Sequence, residues 1–275
     1  MSLVLHPTSD ALLAKVTAHL PHALLLSAAE GVGLGTIARN VAHAHAAHAL
    51  VVLPEKDDKV DLEKGSITVD SIRRLYSQAR TKQVGERVIV IDYAERMSHQ
   101  AQNAFLKLLE EPAAGTSFIL ASHEPSRLLP TIRSRVQHVE LRKITPAQSD
   151  AFLDSLGISD VTKRSQLLFM ASGLPAELTR LHNDEDYFTQ RVAIMRDART
   201  FLQGSAYDKL LVAHGYRDDR PKALLMIRDC IKIIEHSLKS QPQPKLIRQL
   251  ERLSGVYDVI EANGNIRLQL LMLVI

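Results

Sequence analysis

Short apolar runs alternate with amphipathic stretches through the first half of the chain, and that alternation restricts the possible folds most. Ala23-Leu24-Leu25-Leu26-Ser27, set after Pro21, suits a strand buried on both faces. Leu50-Val51-Val52-Leu53, stopped by Pro54, and Arg87-Val88-Ile89-Val90-Ile91, ending at Asp92, read the same way. Ser117 to Ala121 is a fourth strand and Gln137 to Leu141 a shorter fifth. Between them lie helical stripes: Ile37, Ala38, Val41 and Ala42, then Val69, Ile72, Leu75, Tyr76 and Ala79. The clearest helix has Ser98 as its N-cap and carries Ala101, Ala104, Phe105, Leu108 and Leu109 on one face. Pro112 ends it, because the residue before a proline is pushed out of the helical region. Strands joined through helices predict an α/β fold, a parallel five-strand sheet with helices on both faces.

From Thr145 onward the strand signals stop. Helices are predicted around Pro146 to Leu156 and Val161 to Ala171, with Ser172-Gly173-Leu174-Pro175 as a stop and restart. Past about Asn183 the chain reads as helical to its end, with a break at Ser240-Gln241-Pro242-Gln243-Pro244. The length of 275 residues implies two domains or three small ones, divided here as 1–143, 144–183 and 184–275. A formal charge of +3 permits nucleic-acid contact without implying it. Absent tryptophan and 4% aromatics argue against base-stacking platforms. A single cysteine, Cys230, excludes an internal disulfide and fits a reducing cytoplasm. Neither a signal-peptide pattern at Met1 to Lys15 nor a membrane-length apolar run is present, so no membrane association is expected.

The turn after the first strand, Ala28-Ala29-Glu30-Gly31-Val32-Gly33-Leu34-Gly35, lies where a phosphate-binding loop of pattern G-x-x-x-x-G-K-[ST] would lie. In that pattern glycines let backbone N–H groups wrap the phosphates, lysine neutralises them and the hydroxyl ligates magnesium. Here Gly31 and Gly33 remain, Ala28 holds the first glycine position, Leu34 replaces the lysine and Gly35 the hydroxyl residue. Thr36 comes one residue late, which on a helix swings its hydroxyl about 100° away. A plain strand-to-helix turn accounts for the two glycines equally well. A dinucleotide-binding reading of Gly31-x-Gly33 with Glu55 fails because Thr36 stands at the third glycine. The third strand agrees with the loop: Asp92 is placed as a magnesium-holding aspartate, but Tyr93 stands where a water-activating glutamate would follow, and Glu95 lies in the turn beyond. No cofactor is therefore expected. His43, His45 and His48 are spaced so as to scatter around an alanine-rich helix, and no metal site is expected.

Ala101-Gln102-Asn103-Ala104-Phe105-Leu106-Lys107-Leu108-Leu109-Glu110-Glu111-Pro112 and Pro130-Thr131-Ile132-Arg133-Ser134-Arg135 together resemble the bacterial clamp-loader branch of the AAA+ family. Members of that branch carry A-x-N-A-L-L-K-x-L-E-E-P and P-T-I-x-S-R-C at this spacing. The likeness is strong over about residues 20–142, and the degenerate loop is closer to the stator subunits than to the gamma/tau ATPases. It implies a AAA+ core, a small helical lid and a helical collar, in a hetero-pentameric ring with gamma/tau-like ATPase subunits and a delta-like subunit. It further implies action on a sliding clamp and primed DNA during DNA replication. Arg135 is then expected to act as an arginine finger in a neighbour's ATP site, while this chain hydrolyses nothing itself. Val136 replaces the family cysteine, a conservative change. The four-cysteine zinc module of many members is absent, and the lid's sensing arginine is replaced by Ala176 or Glu177. The alternatives are an ATP-hydrolysing subunit with an unusual site and a AAA+ scaffold serving a non-replicative partner.

Overall fold

The computed structural model describes residues 4–46, 49–62, 64–79 and 86–274; His48 and the side chains of Tyr76 and Ala79 lie outside that set. The chain divides into two compact units, Met1–Thr179 and Arg180–Ile275.

The first unit opens with α1 (Pro7–Ala18), β1 (Ala23–Ala28), α2 (Leu34–His45) and β2 (Ala49–Val52). A two-stranded hairpin, β3 (Glu55–Lys56) and β4 (Lys59–Val60), precedes α3 (Val69–Ala79), β5 (Arg87–Ile91) and α4 (His99–Glu110). Then come β6 (Thr116–Ser122), α5 (Pro130–Arg133), β7 (Gln137–Leu141), α6 (Pro146–Ser155), α7 (Val161–Ala171) and α8 (Pro175–Asn183), within which the division falls. The five-strand sheet has the order β2-β5-β6-β1-β7, and each pairing in it is parallel. Alternate side chains serve opposite faces, as the pleat requires. Leu24 and Leu26 pack with Ile37, Ala38 and Val41 of α2 and with Leu13 and Val16 of α1. Leu25, Ile89, Ile91, Phe118 and Leu120 pack with Ile72 and Leu75 of α3 and with Ala101, Phe105 and Leu108 of α4. Phe105 meets Phe118 edge-on, their ring centres 5.3 Å apart. Each such side chain contributes roughly 1.5–3 kcal/mol by leaving water.

The five strands and the α4 helix match the expected runs to within a residue or two, and the Ser98 Oγ accepts from the Ala101 N–H as an N-cap. The sequence pattern did not announce α1, the β3–β4 hairpin or α5. In α1 the buried stripe is Ser9, Leu13 and Val16, and its leading member is polar. The hairpin turns on Asp57 and Asp58, both at positive φ without a glycine to mark the place.

The second unit is all helical: α9 (Glu185–Gln203), α10 (Ala206–Gly215), α11 (Arg220–Ser240), α12 (Pro244–Glu261) and α13 (Ile266–Val274). Its core holds Ile194, Ala198 and Phe201 of α9 against Ala223, Ile227 and Ile234 of α11 and Leu253 and Ile260 of α12. Within that core Arg191 donates twice to Asp229, at 2.8 and 3.2 Å, with both residues essentially without exposure. A buried pair adds little net stability, but losing one member strands the other charge. No helix among the described residues is long and apolar enough to cross a membrane. Arg191→Met is expected to destabilise the second unit by about 3–5 kcal/mol in urea unfolding, and Arg191→Met with Asp229→Leu to recover most of that loss.

Candidate functional site

In a parallel sheet every strand ends at the same edge. The loop after β1 and the residue after β5 therefore meet above the carboxyl ends of the strands. Gly31 and Gly33 sit at φ +89 and +92, the left-handed region that favours glycine, and Gly33 caps α2. They are needed by the backbone of the turn whether or not a ligand is present. Leu34, at the expected lysine position, is 1% exposed and belongs to the core.

Gly35 lies against Asp92. A Cβ built at Gly35 would fall 2.1 Å from the Asp92 Oδ2 and 2.9 Å from its Cγ. The carboxylate thus fills the space that a serine or threonine side chain would need. Asp92 is held there from two directions: Arg39 Nη1 approaches Oδ2 at 3.3 Å, and the Tyr93 N–H donates to Oδ1 at 3.1 Å. Arg39 stands one helical turn beyond Gly35 on α2 and brings a fixed positive charge to the aspartate that, in the phosphate-loop pattern, faces magnesium. Burial pushes the Asp92 carboxyl above its ordinary 3.8, with Arg39 pulling the other way. Thr36, late in register, has its hydroxyl 3.5 Å from Arg39 Nη2.

The loop is covered from within its own unit. The Gly31 carbonyl accepts from the N–H groups of Ala176 at 2.9 Å and Glu177 at 3.2 Å, so it occupies two donors of the first turn of α8. A Cβ at Gly31 would meet Leu174 and Glu177 at 3.3 Å. Ala176 and Glu177, one or the other of which was expected at the sensing-arginine position, therefore touch the loop by backbone. On the far side His123 Nδ1 lies 2.9 Å from the Ala28 carbonyl and its ring stacks edge-on to Tyr93. Glu95 is 9% exposed, with Oε2 lacking a hydrogen-bond partner. Among the described residues no group of three or more His, Cys, Asp or Glu side chains could hold a metal.

The sheet separates Arg135 from this cluster. Register pairs Leu24 with Gln137 and Ala28 with Leu141, so Arg135 precedes β7 at the amino edge while the loop leaves β1 at the carboxyl edge. The strand between Arg135 and Leu141 is on the order of 20 Å long at about 3.3 Å per residue. At its own edge Arg135 Nη2 pairs with Glu110 Oε1 at 3.0 Å, and Nη1 donates to the Thr131 carbonyl at 3.1 Å. Buried Gln102 fastens the approach to α5: its Nε2 donates to the carbonyls of Met97 and Arg127, and its Oε1 accepts from the Leu129 N–H at 2.7 Å. Arg39 and Gln102 were not singled out from sequence. Arg39 carried a usable signal, being four residues after Gly35 and so on the same helical face.

Two outcomes follow. Gly35→Thr with Leu34→Lys is expected to lower thermal stability, by on the order of 1–3 kcal/mol for overpacking alone. It is also expected to leave MgATP unbound in a fluorescent-nucleotide titration, since Arg39 and Asp92 still fill the site. Asp92→Asn tests the raised carboxyl. A raised pKa favours the fold below 3.8, and that contribution is lost as pH rises through the folded-state value. Urea unfolding should therefore show the variant gaining on the wild type as pH rises above about 4.

Comparison with known proteins bears on this geometry. A family profile described as "DNA polymerase III, delta subunit" matches residues 45–145. The DNA polymerase III subunit delta' of Pseudomonas aeruginosa is 35% identical over 156 residues, covering 56% of this chain and 45% of that protein. The match thus spans about half the length of that relative. The subunit delta' of Haemophilus influenzae is 27% identical over 233 residues, covering 77% of this chain and 71% of that one. Among solved structures, a DNA polymerase III gamma subunit-related protein from Thermotoga maritima aligns over 97% of both chains with TM-score 0.54 and 20% identity, a likeness of fold. The motifs, the parallel sheet and these relatives agree in one respect: over its first half the chain is similar to the delta' and gamma-type clamp-loader subunits of DNA polymerase III.

Proposed function

We propose that this chain is a delta'-like stator of a cytoplasmic clamp loader, a subunit that hydrolyses no ATP and completes a neighbour's ATP site with Arg135. The observation that carries this reading is the placement of Arg135 and of the loop after β1 at opposite edges of one sheet. Arg135 is too far from its own loop to serve it, so its charge is available to a site on another subunit. The contents of that loop support the same view: buried Leu34, Asp92 filling the space above Gly35, and Arg39 as the cation.

In this reading residues 1–143 form the AAA+ core, 144–183 the lid and 184–275 the collar. The collar docks on gamma/tau-like ATPase subunits and a delta-like subunit in a hetero-pentameric ring. ATP binding by the neighbour closes the ring, and the assembly opens a sliding clamp for loading on primed DNA. A planar, permanently charged guanidinium suits the charge spread over a transferring phosphoryl group.

Arg135→Ala in a reconstituted loader is expected to leave assembly intact and to lower DNA-dependent ATP turnover by on the order of 10³-fold. Unchanged turnover would remove the finger assignment. Glu95, buried close to Asp92, is the group through which this chain could instead hydrolyse ATP by itself; stoichiometric turnover by the purified single chain would establish that reading and sink the stator.

A further inference from the structure

The surroundings of Arg135 name a second residue. Glu110 is the last residue of α4, with Glu111 capping the helix beside it. A carboxylate at a helix C-terminus faces the negative end of the helix dipole, so the helix itself gains nothing from Glu110. The guanidinium does gain. Glu110 Oε1 takes Nη2 at 3.0 Å while the Thr131 carbonyl takes Nη1 at 3.1 Å. Two of the five donors of Arg135 are thus tied to its own chain, and its side chain remains 41% exposed.

We infer that Glu110 is the positioning residue of the finger, orienting the Arg135 guanidinium before the neighbouring site is met. The inference rests on the reading of Arg135 as a finger and adds a residue to it. A free arginine side chain samples many rotamers, and a group aimed in advance loses less freedom when it engages. Gln102 complements this from the backbone side, by fixing the segment that leads into α5. Because the pair is half exposed, its contribution is modest. An exposed ion pair of this kind can change the rate by about five-fold at most.

The test uses the reconstituted loader with Glu110→Ala, Glu110→Gln and Arg135→Ala. Glu110→Ala is expected to lower the kcat of DNA-stimulated ATP turnover about five-fold with KM for ATP unchanged. Glu110→Gln keeps an oxygen acceptor for Nη2, and its turnover is expected within about two-fold of wild type. Neither variant should lower the melting temperature of the chain, since the helix C-terminus loses an unfavourable charge. Wild-type turnover in Glu110→Ala, or a loss that tracks a lowered melting temperature or weakened assembly, overturns the positioning role. Unchanged turnover in Arg135→Ala withdraws the finger itself, whatever Glu110 does.

Discussion

The two edges of a parallel sheet are chemically unlike, and the structure depends on that polarity. With β1, β5, β6 and β7 all running the same way, every loop that follows a strand gathers at one edge and every segment that precedes one gathers at the other. The loop Ala28 to Gly35 meets Asp92, Tyr93 and His123 at the first edge. Glu110 and Arg135 meet at the second. No side-chain rotation exchanges them, because the central strands β1, β5 and β6 are hydrogen-bonded on both sides and buried within two apolar layers.

At the carboxyl edge, an ion pair joins Arg39 to Asp92. Asp92 is buried, which disfavours its charged form, and the guanidinium of Arg39 offsets part of that cost. The same carboxylate closes the space above Gly35, so the small residue and the filled site are one arrangement. Two N–H groups from the start of α8 then satisfy the Gly31 carbonyl. The loop is thus held by protein atoms, and its glycines serve the left-handed turn.

The helical unit follows a different logic. Its apolar stripes supply the core, while the buried Arg191–Asp229 pair makes one alignment of α9 against α11 better than others, since a slip breaks the two hydrogen bonds between them.

Much of this was legible in the residues alone. Apolar runs bounded by proline and aspartate located the five strands, and the stripe from Ala101 to Leu109 with Ser98 before it located α4. Local periodicity carries such information because buried faces repeat with the geometry of the element. Leu34, Gly35 and Tyr93 could likewise be read as departures from a phosphate-binding pattern, and Arg135 as the arginine of a motif. What only the tertiary structure decided were the contacts between residues far apart in the chain: Arg39 with Asp92, Gly31 with Ala176 and Glu177, Gln102 with Leu129, and Glu110 with Arg135. A sequence states which charges and hydrogen-bonding groups are available. Which of them meet depends on strand order and polarity, set by the packing of the whole sheet.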